Sequence, residues 1–272
     1  MIRIERADGW TLVEHRDHAR LAGQFAEQWL HPDFLTPEPR GGVLTAVSRH
    51  DDAWAVRDAS PCLTKQGLPS AFSRELVGKY SAFEEIDFLE YIAVRAAATE
   101  AVAEDDPLAA IAISMHTVNL LTEQADLDTL APEHRPVHAR FVAGQRERQC
   151  ELAGLHLARG GDPRHITPQA LRHAFEFLQA CDSLSLLTCV DFPTDANLRH
   201  THPRSNGERV TLRCSPLGER TFRVAPYPFV DDELSFTVPS RHVQKGSWRD
   251  LDTFRAAYQH APVEPLRVRL VR

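Results

Sequence analysis

Hydrophobic residues recur at intervals of three and four through much of the first 190 positions, which is the spacing of one helix face. The first such pattern begins at Asp17 and predicts a helix that ends before His31-Pro32, because the residue before a proline disfavours helical backbone. Its inward face consists of His18, Leu21, Ala22, Phe25 and Trp29. After the Pro-rich connection 32–42, a second helix is predicted with one face made of Val43, Val47, His50, Asp51 and Trp54.

Longer helical patterns follow at 86–103, 107–124, 137–158 and 168–190. Pro107 and Pro168 stand at first-turn positions that tolerate proline, and Thr167 is a typical N-cap. The last of these helices has one side made of Leu171, Phe175, Leu178, Asp182, Leu186 and Cys189. Between the second and third helices, residues 58–80 contain two prolines and two glycines, which predicts a long loop with a functional role.

Strand-like segments stand at the two ends of the chain. Residues 1–14 read as two short strands joined by an Asp8-Gly9 turn, and β-branched and aromatic runs follow residue 205. We expect these strands to pair with one another, because each group is too small to be stable alone. The prediction is a mainly α fold in one compact unit. Residues 15–204 form its helical core, and residues 1–14 plus 205–272 form a small antiparallel β flank.

Composition narrows the class of protein. Against 31 basic side chains stand 38 acidic ones, and a net charge of −7 argues against a nucleic-acid partner. No segment approaches the roughly 18 apolar residues of a membrane span, and the first ten residues are too charged for a signal peptide. We therefore expect a soluble cytoplasmic protein with a small-molecule substrate, and a homo-oligomer is compatible with this composition. The five cysteines form no C-x-x-C pair, whereas histidine is unusually frequent with fourteen residues.

Separate helices each place ionisable residues within an apolar face. These residues are His18, His50, Asp51, His116 and Asp182. A carboxylate removed from water needs a charged partner or a cation, so Asp51 and Asp182 point to a shared site. Imidazoles and carboxylates without thiolates suit Fe, Mn, Co, Ni or Zn. The alternative for each residue is structural: Asp182 can pair with an arginine, His50-Asp51 can be the polar end of a helix, and His116 can be a hydrogen-bonded core histidine.

The ordered set resembles a known superfamily. The segments DHARLAGQF, VSRHDDAW and LQACDSLSL look like the three signature helices of the HD superfamily of metal-dependent phosphohydrolases. More narrowly, HDDAW, GLPSAF, SMH and CDSLSL resemble the bacterial family DUF3891, over roughly residues 15–195. The resemblance implies an HD-like helical bundle in which His18, His50, Asp51 and Asp182 bind one or two divalent metal ions. It also implies that His116 binds a second metal or the substrate.

We therefore predict a metal-dependent hydrolase that cleaves a small phosphorylated or nucleotide substrate with a metal-activated water. His116 is expected to assist the leaving group, and Lys65 and Arg74 are the candidates for an anion clamp in the loop 58–80. Two alternatives stay open. One is an HD-type di-iron oxygenase, and the other is a non-catalytic sensor that binds a metal or a ligand. The histidines of the tract 199–203 are predicted to be surface residues in a turn.

Overall fold

The structure is a computed structural model that describes residues 1–74 and 87–272. The helices in these ranges are α1 (His15–Gln28), α2 (Arg40–Arg49), α3 (Ala55–Asp58), α4 (Phe88–Ala103), α5 (Pro107–Asn119), α6 (Arg135–Ala158), α7 (Pro168–Cys189) and α8 (Leu251–His260). The predicted cap of α7 is confirmed, because the Thr167 side chain accepts a hydrogen bond from the backbone of Ala170. None of the described helices is long and apolar enough to cross a membrane.

The described strands form one mixed sheet. They are β1 (Ile2–Glu5), β2 (Gly9–Val13), β3 (Phe72–Ser73), β4 (Ala196–Pro203), β5 (Arg209–Gly218), β6 (Thr221–Ala225), β7 (Glu233–Gln244) and β8 (Val263–Val271). Their order across the sheet is β3-β1-β2-β7-β8-β6-β5-β4, and the sheet curls into a half-barrel. The pairs β1–β3 and β6–β8 are parallel, and the other pairs are antiparallel. The expected contact between the two ends of the chain is made by β2 and β7.

Helices cover one face of the curled sheet. Along β7, Phe236 and Val238 are buried while Thr237 between them is exposed, which is the period of a strand with one solvated face. Phe25 of α1 meets Phe236 edge to face at 4.9 Å between ring centroids. Trp29, one turn later, lies 5.1 Å from Phe177 of α7. Helices α1 and α7 therefore share a hydrophobic core with the sheet.

The prediction of a mainly α bundle with a small antiparallel flank is wrong. About half of the chain is helical, and the sheet is large and mixed rather than small and antiparallel. Local hydrophobic patterns show each strand separately, but the width of a sheet depends on pairing between residues far apart in sequence. The parallel contacts join β1 to residues 72–73, within the predicted loop 58–80, and β6 to the last strand. Residues 75–80 of that loop lie outside the described residues.

The tract 199–203 is a second correction. It belongs to β4 rather than to a turn. His202 is buried with its ring 5.3 Å from that of Trp29, and His200 is half-buried against α7. A strand with one buried face puts every second residue inside, so alternate histidines became core residues once β4 paired with β5.

Candidate metal centre

The candidate metal ligands come from three helical segments. His18 lies in the second turn of α1, His50 and Asp51 follow the last residue of α2, and Asp182 lies in the middle of α7. His116 approaches from α5. All five side chains are buried. The structure therefore brings together the five ionisable residues that the sequence placed on apolar helix faces.

A glycine allows α1 and α2 to approach closely. A Cβ atom added at Gly23 would lie only 2.7 Å from the Cβ atom of Ser48, a distance that real side chains do not show. The absent side chain lets the two helices cross near this point, within two turns of His18 and next to His50. The ring centroids of the two histidines are consequently 5.3 Å apart.

The ligand atoms have separations that suit one ion. His18 Nε2 lies 3.0 Å from Asp51 Oδ2, and His50 Nε2 lies 3.3 Å from Asp182 Oδ1 and 3.8 Å from Asp51 Oδ2. Two donors bound at about 2.1 Å to one tetrahedral or octahedral metal lie about 3.0–3.4 Å apart. Asp182 lies near His18 as well, with its Oδ1 3.9 Å from His18 Nδ1.

The backbone fixes which nitrogen of His50 faces the cluster. His50 Nδ1 donates a hydrogen bond of 2.8 Å to the carbonyl of Val47, which can only accept. In the neutral ring this leaves the lone pair on Nε2, and that atom is buried without a hydrogen-bond partner among the described residues. A lone pair directed at two carboxylates is repulsive unless a cation lies between them.

His18 has the same arrangement. The Ser185 hydroxyl donates to the backbone carbonyl of Asp182 at 2.9 Å, so its oxygen accepts from His18 Nδ1 at 2.8 Å. The other nitrogen of His18, Nε2, lies within hydrogen-bond distance of Asp51, at 3.0 Å from its Oδ2. Both imidazoles thus direct Nε2 toward carboxylate oxygens, which is the arrangement of a metal site with its histidines held from behind.

The pKa shifts of Asp51, Asp182 and His50 also indicate that a positive charge is favourable between the two carboxylates. Burial opposes ionisation of Asp51, but the adjacent Arg95 and His50 hold its pKa well below the usual value. Burial likewise opposes ionisation of Asp182, and the close approach of His50 lowers its pKa. Burial opposes protonation of His50, yet the two carboxylates outweigh it and raise its pKa to about 9. The position favours a positive charge, which a proton or a divalent metal can supply.

Arg95 of α4 holds the side of Asp51 that faces away from the histidines. Its Nη1 donates to Asp51 Oδ1 at 2.7 Å, and its Nε donates to the Tyr91 hydroxyl at 3.2 Å. The guanidinium also lies over the rings of Trp54 and Tyr91, at 5.3 Å from each centroid. Asp51 can therefore offer only Oδ2 to an ion while Oδ1 stays fixed.

His116 is held differently. Its Nδ1 accepts a hydrogen bond of 3.3 Å from the amide nitrogen of Gln179, whose oxygen lies 2.5 Å from His200 Nε2. Burial lowers the pKa of His116 to about 3, so the ring is neutral at pH 7 and carries its proton on Nε2. That nitrogen is 3.9 Å from Asp182 Oδ2. His116 thus presents an N–H group to the cluster rather than a free lone pair.

Comparison with known proteins supports the narrower of the two resemblances. The family model described as "Protein of unknown function (DUF3891)" matches residues 1–245. The chain belongs to the DUF3891 family. No curated protein matches it. No solved structure matches it either.

Two overlapping groups in this DUF3891 protein could hold a metal ion. The first is His18, His50 and Asp51, and the second is His50, His116 and Asp182. Both need Nε2 of His50, because its Nδ1 is bound to Val47. One lone pair binds one ion, so the two groups compete for His50. The imidazole and carboxylate donors of each group fit a divalent transition metal.

Lys65 and Arg74, the two cations predicted to form an anion clamp, make no described hydrogen bond or ion pair with the five clustered side chains. Lys65 is exposed in a turn in which the backbone of Gly67 bonds to Thr64. Arg74 Nη2 donates to the carbonyls of Val190 at 3.3 Å and Asp191 at 2.9 Å. It therefore caps the carboxyl end of α7, about 12 Å along the helix from Asp182. Neither contact supports the predicted anion clamp.

Sequence reasoning missed three residues that hold the DUF3891 site together. Ser185 and Gln179 lie three residues either side of Asp182, so helical spacing from a known ligand was a usable signal. Arg95 stands alone in the alanine-rich run AVRAAATEA, where a single cation among small residues is itself a sign of a buried partner. The sequence does not show which carboxylate Arg95 contacts, because α4 and the end of α2 are distant in sequence.

A cavity of about 410 Å³ reaches the cluster from one side. Asp182 and Gln179 both line it, and it runs on along α7 toward the segment after that helix. Its volume is within the range of roughly 300 to 1,000 Å³ that is usual for small-molecule sites. The candidate centre is therefore buried but accessible to a ligand through Asp182.

Proposed function

We propose that this DUF3891 protein is a metal-dependent phosphoester hydrolase with one divalent metal bound by His18, His50, Asp51 and Asp182. The observation that carries the proposal is the buried Nε2 of His50, which has no hydrogen-bond partner among the described residues and faces two carboxylates. The order of the signature helices supports membership of the HD superfamily, whose members are metal-dependent phosphohydrolases. The cavity at Asp182 supports a small-molecule substrate.

A bound divalent metal would act as a Lewis acid and lower the pKa of a water molecule, which makes the water a nucleophile near pH 7. The residues of the chain have separate roles around it. Arg95 keeps Asp51 ionised and oriented, and Val47 and Ser185 hold the two imidazoles in the ligand tautomer. His116 directs its Nε2–H group toward Asp182 Oδ2, where it can donate a hydrogen bond to the leaving group.

Metal content and hydrolysis test the proposal together. Protein purified without chelator is expected to contain about one divalent metal per chain by elemental analysis, and to hydrolyse p-nitrophenyl phosphate or its diester. Asp51→Asn should lose the metal and reduce hydrolysis at least ~100-fold, because the carboxylate of Asp51 is a ligand. Asp52→Asn is the matched control, since Asp52 is adjacent but pairs with Arg20 and Arg49 instead.

Three results would overturn the proposal. Full metal content in Asp51→Asn would mean that the ion binds elsewhere. Metal-loaded protein that consumes dioxygen, contains two irons and shows a visible absorption band would instead identify the oxygenase alternative. Metal binding with no turnover of any phosphoester would leave the sensor alternative.

A further inference from the structure

The cavity beside Asp182 has two chemically different ends. Helix α7 provides one wall through residues spaced three and four apart, namely Gln179, Asp182, Ser183, Leu186 and Leu187. Its polar residues come first and its leucines follow one turn later. A ligand that reaches Asp182 must therefore also lie along an apolar surface.

Further apolar side chains continue this surface. Phe72 of β3, Leu120 after α5 and Phe192 after α7 line the cavity with the two leucines. Burying an aryl or alkyl group against such a wall is favourable at roughly 25 cal/mol per Å² of apolar area. The part of the cavity lined by Leu186, Leu187 and Phe192 is thus suited to a hydrophobic group.

A single cation lines the cavity among the described residues. Arg199 is exposed on β4 and has no acidic partner within the ranges that the structure describes. Asp195 lines the cavity as well, but its carboxylate is paired with Arg213. Because the protein as a whole has a charge of −7, an unpaired arginine at this place is a specific feature rather than part of a basic surface.

The direction of β4 places Arg199 at the Asp182 end. The chain turns after α7 and runs back along it, so that His200 contacts Gln179 at 2.5 Å between Nε2 and Oε1. Arg199 is the neighbour of His200, and Gln179 lies one turn from Asp182. A planar guanidinium there can bind two oxygens of a phosphate or another oxyanion. The opposite end of the cavity, near Phe192, has Asp195 instead.

We propose that the cavity binds the monophosphate ester of an apolar aryl or alkyl alcohol, with the phosphoryl group between Asp182 and Arg199 and the apolar group against Leu186. The inference deepens and rests on the proposed hydrolase function. In the reaction, the oxygen of water bonds to phosphorus while the bond from phosphorus to the alcohol oxygen breaks. The alcohol oxygen takes up a proton, inorganic phosphate is released, and nothing is oxidised or reduced. Nucleoside triphosphates are expected to be poor substrates, because only one cation faces the cavity among the described residues.

Binding of a non-hydrolysable probe tests the proposal without any turnover. Isothermal titration of the metal-loaded full chain should show 1-naphthylphosphonate binding at least ~10-fold more tightly than methylphosphonate, inorganic phosphate or ATP. Arg199→Gln should weaken binding of both phosphonates ~10-fold, the usual effect of losing a charged hydrogen bond. Arg267→Gln, which changes an exposed arginine on β8, is the matched control and should change neither.

A variant of the apolar wall tests binding of the apolar group separately from binding of the phosphoryl group. Leu186→Asn should remove most of the preference for the naphthyl group and leave the affinity for methylphosphonate unchanged. Leu186→Ala, a smaller change at this half-buried position, serves if the first variant does not fold by circular dichroism. Equal affinity for naphthyl and methyl phosphonates, or tighter binding of ATP, would overturn the proposal.

Kinetics distinguish this proposal from the one on which it rests. The values of kcat/KM for 1-naphthyl phosphate should exceed those for ATP at least ~10-fold, with the loss in Arg199→Gln appearing mainly in KM. If phosphoesters are hydrolysed with a preference for ATP, the substrate class is wrong and the hydrolase function stands. If the naphthyl probe binds as described and no phosphoester is hydrolysed, the hydrolase function is wrong and the cavity assignment stands.

Discussion

A hydrogen bond from the His50 ring to the Val47 carbonyl decides what the candidate centre can bind. It directs the free nitrogen of His50 at two ionised carboxylates, and the position takes up positive charge in consequence. Ser185 holds Nδ1 of His18 so that its Nε2 faces Asp51, whereas Gln179 donates to His116 and turns an N–H group inward. Three histidines of one cluster thus have two different roles, set by the partner behind each ring.

The raised pKa of His50 predicts a pH dependence of stability in metal-free protein. Because its pKa is about 9 in the folded chain and near 6.5 in the unfolded one, the protonated ring stabilises the fold fully below pH 6.5. This contribution is lost as the pH rises through 9. In the presence of chelator, the difference in unfolding free energy between the native protein and His50→Gln should therefore shrink from pH 6.5 to pH 9. Urea denaturation at several pH values measures it, and a difference that stays constant would contradict the assignment.

The tautomer of His116 predicts that this residue is not a ligand. His116→Ala should retain about one metal per chain and lower phosphoester turnover ~10- to 100-fold, because the leaving group loses a hydrogen-bond donor. Elemental analysis and initial rates measure the two effects. His260→Ala, at an exposed histidine in α8, is the control and should change neither. Loss of one metal in His116→Ala would make it a ligand, and unchanged turnover would remove it from the site.

At the scale of secondary structure, the centre joins elements that are distant in sequence. Helices α1 and α2 cross closely at Gly23 and Ser48, and α7 brings Asp182 to them from more than 130 residues further along the chain. The same elements pack against one another through apolar side chains such as those of Trp29 and Phe177. Metal binding should therefore stabilise the fold, because the ligands converge only when these elements are packed.

Chelation tests this linkage. An ion that binds only the folded chain stabilises it by about 2.7 kcal/mol at a concentration of 100 Kd. A chelator should lower the Tm of the native protein by several degrees and leave the Tm of Asp51→Ala unchanged. Calorimetry or thermal circular dichroism measures both, with Asp52→Ala as the variant that should behave like the native protein. Equal shifts in all three proteins would mean that the chelator acts on a different site.

At the scale of the whole molecule, the largest hydrophobic cluster contains residues of both the sheet and the helices. Strand β2 lies between β1 and β7, so the first residues of the chain are built into the sheet formed by its last third. Helix α1 packs directly on β7 through Phe25 and Phe236. We therefore expect residues 15–204 to unfold together with residues 1–14 and 205–272, as a single unit.

A charged substitution in the sheet tests whether the helices and the sheet unfold as a single unit. Val238→Asp should lower the free energy of unfolding by more than about 3 kcal/mol, because Val238 is buried in the shared core and an unpaired carboxylate there is costly. Thr237→Asp, one residue away on the exposed face, should cost less than about 1 kcal/mol. Urea denaturation followed by circular dichroism and by metal release should give one coincident transition. Release of the metal before the sheet unfolds would contradict a single unit.

The sequence alone was enough to predict most helices and which face of each is buried, because a hydrophobic period of 3.6 residues is visible within a short stretch of sequence. That pattern placed His18, His116 and Asp182 on inward faces, whereas His50 and Asp51 lie just beyond the end of α2 rather than on its face. The family resemblance grouped His18, His50, Asp51 and Asp182 as ligands. The cap at Thr167 and the N-terminal hairpin were also readable, since each depends on adjacent residues.

Only the tertiary structure decided the rest. The extent of the sheet depends on pairings such as β6 with β8, and no local pattern records which distant strand is the neighbour. The contact of Arg95 with Asp51, the tautomers of the histidines and the position of Arg199 beside the cavity arise in the same way. Each requires two segments to meet at a distance of a few ångströms, and that distance is set by how helices and sheet pack rather than by the residues on either side.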